Sequence, residues 1–253
     1  MLRRCLTLLA SFATLSAVAA AGASEIATSS APALLMTKAA TGWTSSNWSG
    51  YAGSTGAAGS ATSVEGYWEV PSVSKTSKNT YSSTWVGIDG FGNTDLIQTG
   101  VEQAWVGGAA QYTAWWEILP ASQTNIPSLV VHPEDVMFAY IAKQTGSTWE
   151  IELEDTTTGK SFVTDQTYTG VADTVEWIVE APTVGGSQST LATYSTMYFD
   201  KDAFNGFYAA FTTANRGVMI QGGKHVSTPS KPDSDGDGFA VAHGAKTPPP
   251  PAS

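Results

Sequence analysis

The sequence predicts an all-β fold, a sandwich or a barrel, on three observations. Short runs of alternating apolar and polar residues recur along the chain, and Gly, Pro, Ser and Thr punctuate them. No window of a dozen residues shows helical periodicity with caps. At 253 residues the length suits one large β domain or two small ones, and no internal repeat of fixed period is present.

Residues 1–23 read as a secretory signal. Arg3 and Arg4 give the positive start, Leu6 to Ala21 the apolar run, and Ala21-Gly22-Ala23 the cleavage site. The run is short and alanine-rich for a membrane span. Cleavage moves the formal charge from −10 to −12, because two arginines and no acid leave. It also removes Cys5, the only cysteine, so the mature chain has no disulfide despite an exported setting. Residues 24–43 are Ala/Ser/Thr-rich and read as a leader or short pro-segment. Charged residues make up 13%, about half the usual ~25%, so the surface relies on hydroxyls and amides. The negative balance argues against nucleic acid and anionic membranes as partners.

From Asn47 the chain reads as strands and turns. Val64 to Val70 alternates and stops at Pro71, and residues 135–142, 148–154 and 161–168 alternate as well, with a turn at Thr158-Gly159. Thr190 to Phe199 is β-rich, Gly217 to Gln221 is a short apolar run, and Lys201 to Phe207 fits one helical turn. Residues 246–253, with four consecutive prolines, form a disordered or extended tail.

Four strands carry an unusual face. Strand side chains point alternately to the two sides of a sheet. In residues 174–180, Val175, Trp177 and Val179 therefore share a core face, and Glu176, Ile178 and Glu180 share the other. Trp85 and Asp89 lie opposite Val86 and Ile88, Gln98 and Glu102 lie opposite Ile97 and Val101, and Trp115 and Glu117 lie together. Trp, Gln and isolated acids without lysine or arginine suit a cleft better than a solvated surface.

Five segments then carry a resemblance. Asn47-Trp48-Ser49-Gly50, Trp85 to Gly90, Gln98 to Val101, Ala114 to Glu117 and Glu176 to Glu180 resemble, in order, the successive blocks of the glutamic peptidases (eqolisins). The resemblance covers residues 44–245. It implies a β-sandwich of two antiparallel sheets, a lectin-like jelly roll with a concave cleft, and a secreted acid endopeptidase indifferent to pepstatin. Carried over by motif, the catalytic pair falls on Gln98 and Glu176. Trp48, Trp85 and Trp115 would line the cleft, and Asp89, Glu102, Glu117 and Glu180 would orient or tune the pair. Thr113 stands where some fungal members have an acid. Fungal members typically carry disulfides, so the lack of one suggests a bacterial-type member. Polypeptides are the expected substrates and a monomer the expected state, with no nucleic acid and no membrane as partner after signal removal.

The remaining chemistry is narrow. His132, His225 and His243 are scattered, without HExxH, so no zinc site is expected. GxSxG, Asp-Thr-Gly and Asp-Ser-Gly are absent, and no cysteine remains after the signal. Carboxylate and amide chemistry is left, without a cofactor. Asp233-Ser234-Asp235-Gly236-Asp237-Gly238 resembles the start of a calcium loop, but the twelfth position is Gly244 where an EF-hand needs Glu. It reads as an acidic turn leading into Phe239-Ala240-Val241, with no metal site expected and adventitious calcium as the alternative. Crowding of the cleft acids is expected to raise their pKa values. Two rival readings use the same face. One is a carbohydrate-binding or glycoside-hydrolysing sandwich pairing Glu176 with Glu117 or Glu180, roughly 5 to 9.5 Å apart. The other is an inactive family member that only binds peptides.

Overall fold

A computed structural model describes residues 42–253, so the signal and the leader up to residue 41 lie outside the described residues. The strands are β1 (Trp43–Ser45), β2 (Trp48–Ser54), β3 (Ser63–Glu69), β4 (Thr80–Ile88), β5 (Ile97–Val106) and β6 (Ala109–Ile118). There follow β7 (Thr124–Asn125), β8 (Val136–Lys143), β9 (Thr148–Asp155), β10 (Lys160–Thr167), β11 (Thr174–Glu180) and β12 (Thr183–Val184). The last six are β13 (Ser187–Gln188), β14 (Met197–Phe204), β15 (Phe207–Tyr208), β16 (Arg216–Gln221), β17 (Lys224–Pro229) and β18 (Phe239–His243). No helix occurs among the described residues.

Apart from the β12–β13 hairpin, the strands form one continuous ladder in the order β10-β9-β8-β3-β14-β18-β17-β16-β2-β11-β4-β5-β6-β7. Pairing along it is antiparallel, with β1 added in parallel to β16. The ladder folds back on itself, so that β3, β8 and β9 pack across β4, β5 and β11. The result is a two-layered sandwich, as expected.

Alternation explains which residues fill it. Val175, Trp177 and Val179 of β11, Val86 and Ile88 of β4, and Ile97 and Val101 of β5 all enter the interior cluster. From the other layer come Val64 and Trp68 of β3, Met137 and Ile141 of β8, and Ile151 and Leu153 of β9. Each such side chain contributes about 1.5–3 kcal/mol by leaving water. A second, smaller apolar cluster lies on the opposite side of the β2-β11-β4-β5-β6 leaf. It holds Trp43, Ala52, Trp85, Leu96, Trp115 and Ile178, with Trp48 and Phe91 packed against it.

The stretch from Thr190 differs from expectation. Regular pairing begins only at Met197, and before it Leu191 and Tyr194 make single bridges to Tyr81 and Val73. Lys201 to Phe207 is not a helical turn. β14 runs on through Lys201, which takes a φ of 53° where the register with β3 shifts between Asp200 and Ala203, and then turns back as β15. The tail is extended and docked, with Pro248 buried and the Ser253 hydroxyl accepting from the Ser234 amide at 3.2 Å. Ion pairing is almost absent. His132 with Asp135, at 3.5 Å, is the only such pair among the described residues.

Candidate active site

Register aligns the unusual faces of β2, β11, β4, β5 and β6 into three transverse rows. The first row is Ala52, Glu176, Gly87, Gln98 and Glu117. The second is Gly50, Ile178, Trp85, Gly100 and Trp115, and the third is Trp48, Glu180, Ser83, Glu102 and Thr113. Gln98 and Glu176 therefore stand two strands apart, roughly 9–10 Å between Cα atoms. Between them is Gly87, which has no side chain to fill the gap.

Each polar group of the first row has a distinct state. The Gln98 amide nitrogen donates to Glu117 Oε2 at 2.7 Å, while Gln98 Oε1 is buried without a partner. Glu176 is 0% exposed, and both its carboxylate oxygens lack a hydrogen-bond partner. Burial drives its pKa well above the usual carboxylate range. The Thr174 hydroxyl and the Phe91 amide, near the carboxylate but outside hydrogen-bond geometry, oppose that rise, and the charges of Asp89 and Asp173 add to it. Burial also raises Glu117, against the bond from Gln98, and Glu102.

The third row is tied to the second. Glu180 Oε2 accepts from Trp85 Nε1 at 2.9 Å, and its Oε1 accepts from the Asn47 amide at 3.2 Å. Burial pushes Glu180 up to about 7 even so. Mutual repulsion, the cause expected from the sequence, is minor, since the Glu117 charge is the weakest influence named on Glu180. Strand spacing keeps these acids apart, and loss of water sets their pKa values.

A cleft of about 290 Å³ runs over this face, lined by Trp48, Gln98, Trp115, Glu117 and Glu180 together with Asn47, Ser83, Leu96, Leu119 and Gln123. The peptidase A4 family profile matches residues 46–235. The chain belongs to the peptidase A4 family. Aspergillopepsin-2 of Aspergillus niger is 29% identical over 155 residues, covering 58% of this chain and 53% of that protein. The chain thus matches about half the length of that curated relative. Scytalido-glutamic peptidase, solved with a transition state analog inhibitor, superposes with a TM-score of 0.66 at 20% identity, over 78% of this chain and 98% of its own. Aspergilloglutamic peptidase from Aspergillus niger gives 0.57 at 26% identity, over 65% and 99%.

Within this A4 fold, not every residue singled out from the sequence reaches the cleft. Glu176 is fully buried and, unlike Gln98, does not line the cleft. Trp85 is fully buried beneath it, in edge contact with Trp48 at 4.9 Å, so it forms the floor rather than a wall. Trp115 lines the cleft although it is nearly buried, and its Nε1 donates to Ser83 Oγ at 3.1 Å. Glu102 shares the face but does not line the cleft. Asp89 lies beyond β4 at a φ of 73°, its carboxylate committed elsewhere. It accepts from Tyr168 Oη, from the Ala172 and Asp173 amides at 2.7 and 3.2 Å, and from Asn93 Nδ2 at 3.0 Å. Asp89 thus latches the 168–173 loop beside Glu176. Gly87 and Gly100 were the features missed. Their signal was present, since each lies two residues from a member of the site.

Proposed function

We propose that the chain is a secreted acid endopeptidase in which Gln98 and Glu176 act as a pair on polypeptide substrates. Family membership supports peptide-bond hydrolysis, and the features of residues 1–23 support export. No helix among the described residues is long and apolar enough to cross a membrane. The observation that carries the pairing is the set of partnerless polar atoms across Gly87, namely Gln98 Oε1 and both oxygens of Glu176. Buried polar atoms are nearly always hydrogen-bonded, and exceptions call for a ligand or a reaction.

In this reading Glu176 handles the proton. It takes one from a water attacking the scissile carbonyl and returns it to the departing amine as the C–N bond breaks. A pKa raised by burial brings the two halves of that exchange toward balance in weak acid. Gln98 has two amide hydrogens. Glu117 fixes one, and the other is free to meet the oxyanion of the tetrahedral intermediate, while Oε1 holds the water.

Glu176→Gln and Gln98→Ala should each abolish cleavage of casein at acid pH while leaving the thermal transition within a few degrees of the original. Substantial turnover by either purified variant would reject the pair. Cleavage of polysaccharide instead of casein by the unmodified protein would reject the peptidase reading itself.

A further inference from the structure

We propose that the turn from Asp233 to Gly238, together with Asp200 of β14, forms a structural binding site for a hard divalent cation of calcium's class. Asp200, Asp233 and Asp237 each bring a carboxylate oxygen to within 4.8 Å of the others. The turn itself orients Asp233. Its Oδ1 accepts from the Gly236 and Asp237 amides at 2.9 and 3.2 Å, and its Oδ2 is buried with no partner. Asp237 is only 6% exposed, and its Oδ1 is likewise partnerless.

Gly238 supplies an independent geometric sign. A Cβ at that position would collide with Asp233 Oδ2, and would sit 2.8 Å from the Phe199 carbonyl oxygen and 3.3 Å from Asp200 Oδ1. Three oxygens from two segments, β14 and the turn, thus converge on space that a glycine leaves clear. Behind it, Asp202 is fully buried with both carboxylate oxygens unpartnered, and its amide donates to the Asp237 carbonyl at 2.9 Å. No lysine or arginine forms an ion pair with any of these four acids among the described residues. Partnerless buried carboxylates are costly in the charged state. A bound cation would relieve that cost.

The donor set selects the ion. Carboxylates and a backbone carbonyl, without His or Cys, favour calcium over zinc, and the tolerance of calcium for irregular oxygen shells favours it over magnesium. Its role would be to tie β14 to the turn before β18. Asp202 Oδ1 and the ring of Trp177 both lie close to Gly66, and Trp177 points to the interior, on the side of β11 away from Glu176. Chelation should therefore show in stability before it shows in chemistry.

The test is thermal unfolding of the chelator-stripped full-length protein near neutral pH, with and without millimolar calcium chloride. Calcium should raise the transition by about 4–8 °C in the unmodified protein. Asp237→Asn and Asp200→Asn should lose that rise, with cation-free transitions at or above that of the parent, since each removes a negative charge from a cluster without an ion-pair partner. Glu152→Gln, on the distant β9, should keep the rise. No calcium effect on the parent, or an equal effect in the Asp237 and Asp200 variants, would overturn the site. Calorimetric titration of the parent gives a reading that needs no variant. One site per chain with a submillimolar Kd supports the proposal, and any other stoichiometry or a weaker Kd refutes it.

Discussion

Gln98 is held by one bond, from its amide nitrogen to Glu117 Oε2 at 2.7 Å. That bond decides which end of the amide faces Glu176, because a carboxylate accepts only and so fixes the NH2 group toward itself. Glu117→Gln removes that constraint, since a second amide can donate as well as accept. The variant should lose about 10–100-fold in kcat with KM little changed, and the pH dependence of kcat should move with it. Glu117→Asp, which keeps the acceptor, should recover part of the rate. A change in KM alone would show that Glu117 binds substrate rather than positions Gln98. Asp89 shows where reading one residue at a time stops. Alternation placed it on the cleft face, but at φ 73° it leaves the strand, and its four donors come from 168–173 and from Asn93. Nothing near Asp89 in the sequence announces Tyr168 as a partner.

Two glycines on neighbouring strands make opposite predictions at the scale of the sheet. A side chain at Gly100 of β5 would run into the Thr84 carbonyl and lie 2.6 Å from Trp85 Cβ, so backbone would have to move. Gly100→Ala should destabilise the protein by about 2–4 kcal/mol, measured by denaturant unfolding. At Gly87 of β4 the nearest atoms would be 3.0–3.2 Å away, a tight fit that small shifts can absorb. Gly87→Ala should fold, yet lose at least ~100-fold in kcat/KM, because its methyl group enters the gap between Gln98 and Glu176. Full activity in Gly87→Ala would remove the significance of that gap. The strands themselves were largely legible, with β11 running from Thr174 to Glu180 as alternation predicts. Alternation works there because one face is core and the other is a distinct surface. It could not reveal that the second face carries its own apolar layer, in which Trp43 of β1 joins Trp85, Trp115 and Ile178, and Trp48 of β2 packs edge-on against Trp85. Nor could it join Asp200 to Asp233, since those residues meet only after β14 and the later turn pack together.

For the whole molecule, pH acts on stability in one direction. Burial raises Glu65, Glu180 and Asp237 to about 7, and raises Glu176 and Asp202 well above the usual range. Each folded pKa exceeds its unfolded value near ~4, so the native state binds more protons than the unfolded chain in between. This contribution is complete below the unfolded pKa and is lost as pH rises through the folded one. Unfolding free energy, with calcium withheld, should therefore decline from about pH 4 to pH 7 and beyond. Activity should fall within the same window through ionisation in the cleft, so kcat/KM and tryptophan emission need to be followed together. Stability that climbed toward neutrality would contradict these shifts. The near absence of ion pairs has its own consequence when salt is varied. Dissolved ions weaken attraction and repulsion alike, but with a single His–Asp pair among the described residues there is little attraction to weaken. The formal charge of −10 leaves repulsion as the main electrostatic quantity at pH 7. Added sodium chloride should thus raise the melting temperature near neutrality and leave it almost unchanged in acid, where protonation has already discharged the surface. A protein with this composition would meet brine as a stabiliser, and a melting temperature that fell with salt would contradict the scarcity of attractive pairs among the described residues.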